Sequence, residues 1–102
     1  MKIIDKLAYL HFQNGKILST RSRGKSVYYI PGGKRESGES DHAALIREIK
    51  EELSVDLIQN TLKYIETFQA QAHGHAAGIL VKMTCYSEML LKILLTLFKR
   101  RL

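Results

Sequence analysis

The sequence is poor in the residues that make chains unusual. It has one cysteine, one proline and no tryptophan, and its seven glycines form no repeat. A lone Cys85 forms no internal disulfide, so a secreted, disulfide-stapled miniature is excluded and a reducing, cytoplasmic setting is expected. The start MKIIDKLAYLHF breaks its apolar run with Asp5 and Lys6, unlike a secretory leader, and Lys92 interrupts the longest apolar stretch before it could cross a bilayer. The scarcity of proline and the ordinary apolar fraction of 45% argue against disorder and collagen-like structure.

Acids are outnumbered too, ten against sixteen Lys and Arg, for a net charge of +6. Taken alone, that balance invites a nucleic-acid partner. The distribution argues otherwise, because eight of the ten acids fall between Glu36 and Glu66, while bases gather at Arg21 to Lys25, at Lys34 and Arg35, and at Lys99 to Arg101. Carboxylates beside basic loops suit a site for a cation plus a polyphosphate; they equally suit a solvated helix on a soluble surface.

At 102 residues the chain has the size of one domain. Ile3 to Phe12 and Lys16 to Ser22 read as strands of an N-terminal hairpin turned at Asn14-Gly15, since both residues tolerate positive φ. Val27 to Ile30 reads as a short strand feeding a turn at Pro31-Gly32-Gly33. From Ser40, a capping serine, the apolar period becomes helical through Ala44, Leu45, Ile49 and Leu53. Leu62 to Gln71 and Ile79 to Tyr86 read as two further strands around a polar loop that holds His73 and His75, giving five strands and one helix before Ser87. The last fourteen residues hold six of the fourteen leucines and no helix breaker, which predicts an apolar and basic C-terminal helix over 87–102 and a homo-oligomer assembled through it.

On the predicted helix, Glu48, Glu51 and Glu52 stand at i, i+3 and i+4 and share one stripe, with Ile46, Ile49 and Leu53 on the adjoining arc. Hard divalent cations take oxygen ligands, and Mg²⁺ is commonly held by a few carboxylates together with phosphates and water. The stripe by itself fits a metal site or a solvated face.

The stretch GKRESGESDHAALIREIKEELSV, Gly33 to Val55, runs Gly, five residues, Glu, seven residues, then Arg-Glu-Ile-x-Glu-Glu, and it resembles the Nudix box. Gly33, Glu39, Arg47, Glu48, Ile49, Glu51, Glu52 and Val55 match the pattern; Ser54 stands where the family has glycine. The resemblance implies an α+β fold, a Nudix-like α/β/α sandwich with a mixed sheet over 1–86, incomplete at its C-terminus. It implies a hydrolase that cleaves the diphosphate bond of a nucleoside diphosphate linked to another group, with Mg²⁺ or Mn²⁺ as cofactor. Glu48, Glu51, Glu52 and the Gly33 carbonyl would hold the metal, Arg47 would orient a carboxylate, Glu39 would anchor the loop, and Glu52 or Glu48 would act as base. Arg21 and Arg23 are candidates for the substrate phosphates, or are solvated. Tyr28 or Tyr29 is a candidate for stacking on a nucleobase, with strand alternation expected to bury at least one of them. Cys85 reads as a small core residue.

Capped RNA belongs to the same substrate chemistry. Two other readings stay open: a catalytically silent module that binds nucleotides or RNA, and a truncated, inactive product that self-associates through a tail read in another frame.

Overall fold

The computed structural model describes residues 2–21, 24, 26–72 and 77–88. The predicted C-terminal helix beyond Glu88, together with His73, His75 and Arg23, lies outside the described residues.

Among these residues eight strands and one α-helix follow in the order β1 (Lys2–Tyr9), β2 (Phe12–Gln13), β3 (Lys16–Ile17), β4 (Thr20–Arg21), β5 (Tyr28–Tyr29), β6 (Gly32–Lys34), α1 (Asp41–Leu53), β7 (Leu62–Gln71) and β8 (Ile79–Glu88), with a 3-10 turn at Gln59–Thr61 before β7. Four of them form a mixed sheet in the order β6-β1-β8-β7, with β1 antiparallel to β6 and parallel to β8, and β7 antiparallel to β8. The fold is α+β. Alternation along β1 sends Leu7 and Tyr9 to one face, where they form a core with Ala44, Leu45 and Ile49 of α1, Leu57, and Tyr86 of β8. The other face carries Ala8, Leu10 and Cys85 against Met83, and Cys85 is buried there as a free thiol.

The helix begins and ends for local reasons. Ser40 has extended backbone (φ −71°, ψ 167°), and its Oγ accepts the Ala43 N–H at 3.1 Å, one of the donors that the first turn leaves unpaired. At the other end Ser54 takes the left-handed conformation (φ 56°, ψ 32°), and its N–H donates to the Lys50 carbonyl at 3.0 Å. Glycine would reach that conformation without strain, which accounts for its place in the family pattern.

Four expectations are corrected. Pro31-Gly32-Gly33 is not a turn: Gly32 to Lys34 is the edge strand β6, with Leu7 opposite Gly33 and Ala8 opposite Gly32. Gly32 sits at φ 145°, and a Cβ there would lie 2.0 Å from the Leu7 carbonyl oxygen, so only glycine allows this approach to β1. The N-terminal hairpin is shorter than expected, because β1 ends at Tyr9, where the Leu10 N–H turns to the Tyr86 carbonyl at 2.8 Å. What remains is the pair β2–β3 around Asn14 (φ 54°) and Gly15 (φ 73°). Among the described residues there are eight strands rather than five, and β8 runs on through Ser87 and Glu88, which the C-terminal helix was expected to include. Tyr28 and Tyr29 are both exposed, at 61% and 53%, because β4 and β5 form a separate two-stranded ribbon with neither face on the core.

Candidate active site

The edge strand β6 lies between β1 and the acidic face of α1, and two of the three stripe carboxylates reach it. Glu52 Oε2 accepts the Gly32 N–H at 3.3 Å. The Glu48 carboxylate packs over Gly33 so closely that a Cβ on Gly33 would sit 2.4 Å from it. The missing side chains of this Gly-Gly pair thus admit β1 on one side and a carboxylate on the other.

Arg47 organises the opposite side of the stripe. Its Nε and Nη2 donate to Glu39 Oε2 and Oε1 at 2.8 and 2.9 Å, a two-pronged pairing. Nη1 donates to Glu48 Oε1 at 3.0 Å and lies 3.4 Å from Glu51 Oε1, while Nη2 also donates to the Lys34 carbonyl at 3.1 Å. Glu39 in turn accepts the Glu36 N–H at 2.8 Å. The Arg47 bonds, helped by that N–H, hold the Glu39 carboxyl well below the usual range, at about 2. The same partners push the Arg47 guanidinium further up.

Glu52 is shifted the other way. Partial burial disfavours its charge, and the nearby Glu48 and Glu51 raise its carboxyl further, against the stabilising N–H of Gly32. No Lys or Arg pairs with it among the described residues. Glu52 also lines a cleft of about 400 Å³ with Gly32 and Gly33, whose other walls include Lys6, Thr20, Arg21 and Tyr29.

The geometry brings Gly33, Glu39, Arg47, Glu48, Glu51 and Glu52 together, and Arg21 lines the same cleft as Glu52. Of the two tyrosines it is Tyr29 that lines the cleft; Tyr28 lies under the Arg21 guanidinium, 5.5 Å from ring centroid to Cζ. Lys6, Thr20 and Tyr29 enter the site through pairing of distant strands, and only Tyr29 had a signal in the sequence.

By its chemistry the acidic stripe offers hard oxygen donors of the kind a divalent cation takes. Among the described residues no three carboxylate, histidine or cysteine side chains are gathered closely enough to hold a metal ion by themselves.

Comparison with known proteins gives a consistent result. The family model described as "NUDIX domain" matches residues 7–87. The CTP pyrophosphohydrolase of Escherichia coli is 32% identical over 78 residues, 72% of this chain and 56% of that protein. The Nudix hydrolase YvcI of Bacillus subtilis is 40% identical over 60 residues, 59% of this chain and 38% of that protein. The chain therefore spans about half the length of the curated relatives it matches. Among solved structures, the E. coli ORF135 protein superposes with a TM-score of 0.66 at 28% identity, covering 87% of this chain and 62% of its own. A MutT Nudix hydrolase from Burkholderia pseudomallei has the same fold, with a TM-score of 0.67 at 21% identity over 86% of this chain and 67% of that one.

Proposed function

The chain belongs to the Nudix family, and from that premise we propose that it is a metal-dependent pyrophosphohydrolase that cleaves the diphosphate bond of a nucleoside diphosphate derivative. One observation carries the reading: Glu52, without a cationic partner among the described residues, lines a cleft together with Arg21 and Tyr29. An acid, a phosphate-binding cation and an aromatic ring around one space are what such a substrate requires. Kinship with the CTP pyrophosphohydrolase of E. coli makes CTP the first compound to test.

Glu48, Glu51 and Glu52, with the Gly33 carbonyl, would hold Mg²⁺ or Mn²⁺, which when bound supplies charge neutralisation at the phosphates and a more acidic water. The remaining chemistry falls to the chain's own residues. Arg21 and Lys6 balance the charge of the bound phosphates, and Tyr29 offers a face to the base. Glu52 takes the proton from the attacking water, whose oxygen bonds to phosphorus while the bridging P–O bond breaks and its electron pair leaves with the departing phosphate. Glu52 is the stripe carboxylate that lines the cleft and has no Lys or Arg paired with it among the described residues, which supports it for that task. Glu48 is less free for that task because Arg47 holds it. Arg47 fixes Glu48 from behind, and Glu39 fixes Arg47.

The test is turnover of a panel of nucleoside triphosphates, dinucleotides, sugar nucleotides and capped RNA with Mg²⁺ or Mn²⁺. Release of a phosphate product that stops on chelation is expected. A folded protein that binds nucleotides or RNA but hydrolyses none would replace this reading with that of a silent binding module.

A further inference from the structure

Arg35 occupies one of the five unspecified positions between Gly33 and Glu39. Its side chain is 25% exposed and is divided among three elements. Nε donates to Asp5 Oδ2 of β1 at 3.1 Å, Nη1 donates to the Glu39 carbonyl at 3.2 Å, and Nη2 pairs with Asp41 Oδ1, at the start of α1, at 2.5 Å. Its own N–H donates to the Asp5 carbonyl at 3.3 Å, extending the contact of β6 with β1 by one residue. Asp41 is tied to β8 as well, through the Tyr86 hydroxyl at 2.7 Å.

The Glu39 carbonyl held by Arg35 and the Glu39 carboxylate held by Arg47 belong to one residue. Fixing the first fixes the place from which the second is presented. Arg47 then passes that constraint to Glu48 at 3.0 Å. A planar guanidinium with five donors in a rigid fork can serve three acceptors at set angles, which an ammonium on a flexible stem cannot.

We propose that Arg35 is a positioning residue for the acidic stripe, acting on Glu48 through Glu39 and Arg47. The proposal rests on the reading of that stripe as a divalent-metal site. It separates Arg35 from a simple staple between helix and sheet: the Tyr86 hydroxyl is such a staple, and it touches neither Glu39 nor Arg47.

The experiment measures Mn²⁺ binding to the full, substrate-free chain by electron paramagnetic resonance of the free ion, well below the melting temperature of every variant. Groups that orient metal ligands from behind typically change metal affinity by 10- to 100-fold, so Arg35→Met is expected to weaken binding by about tenfold, the low end of that range for a residue one step further out. Arg35→Lys keeps the charge but loses the fork, so it should weaken binding comparably, and it decides the matter if Arg35→Met does not fold. Tyr86→Phe should lower the melting temperature and leave Mn²⁺ affinity unchanged. Wild-type affinity in both Arg35 variants overturns the proposal, as does equal weakening in Tyr86→Phe, which would mean general loosening. A wild-type chain that binds no Mn²⁺ refutes the metal site itself, and the proposal falls with it.

Discussion

Replacing Glu52 by Gln separates a functional carboxylate from a structural one, because the two roles predict opposite signs for stability. The substitution removes a negative charge from a position four residues after Glu48 and next to Glu51, and keeps an oxygen able to accept the Gly32 N–H at 3.3 Å. A like-charge pair at this helical spacing costs a few tenths of a kcal/mol, so its removal should stabilise the metal-free protein by about 0.3 kcal/mol. For a domain of this size that amounts to a rise of about 1 to 2 °C in Tm. The raised Glu52 carboxyl gives the same sign: a group whose pKa is higher in the folded state stabilises the fold below its ordinary pKa, and that contribution is lost as pH rises through the folded value. The advantage of Gln should therefore be present at neutral pH and vanish in acid. With metal the order reverses. At a hundred times its Kd a cation stabilises the wild type by about 2.7 kcal/mol, and if the variant binds 100-fold more weakly the same concentration adds only about 0.4 kcal/mol. Thermal melts with and without Mg²⁺ read all these shifts, and turnover should fall by at least about 100-fold if Glu52 is ligand or base. A variant that melts lower than wild type without metal, or that hydrolyses normally, refutes the assignment.

Gly33→Ala places a methyl where the Glu48 carboxylate now sits, and that carboxylate can swing away only by leaving Arg47; activity should drop sharply while Tm changes little, as circular dichroism melts and turnover assays would reveal. The Glu39 carboxyl, depressed to about 2, stabilises the fold above its ordinary pKa of 4.5, and this contribution is lost as pH falls toward 2; urea titrations at stepwise lower pH should show a shallower decline for Glu39→Gln than for wild type. Self-association through residues 89–102, expected from their composition, predicts that light scattering finds an oligomer converted to monomer when Leu91, Leu94 and Leu95 become Gln; a wild-type monomer rejects it.

Much of the site was legible because its signals are local. The Ser40 cap, the apolar period of α1 and the spacing of Glu48, Glu51 and Glu52 each concern residues within a turn or two of one another. The role of Arg47 in orienting a carboxylate was implied by the resemblance to the Nudix box, and the carboxylates it meets include its helical neighbours Glu48 and Glu51. What escaped depends on which distant strands meet. Nothing in residues 31–34 distinguishes a glycine turn from a glycine strand, because the same freedom of φ serves a reversal of the chain and a close approach to β1. The Arg35 contacts need Asp5, thirty positions away, to arrive beside β6. The exposure of both tyrosines follows from β4 and β5 pairing only with each other, which alternation along a single strand does not reveal.

The three glutamates of the stripe look equivalent in the sequence and are treated unequally by the fold. Glu48 is 16% exposed and receives Arg47 at 3.0 Å; Glu51 is 59% exposed with the same guanidinium at 3.4 Å. Glu52 receives a single backbone N–H at 3.3 Å. One arginine therefore serves two of the three charges, and the third faces the cleft with burial and both neighbours acting against its ionisation. Were the stripe only a solvated face, the charge with least compensation would be expected where water screens it best, at the position Glu51 occupies. It lies instead where the helix meets the glycine strand, in a cleft that Arg21 and Lys6 also line. That placement suits the proposed role, in which a divalent cation would bind at the stripe and Arg21 and Lys6 would meet the phosphates of a polyphosphate substrate.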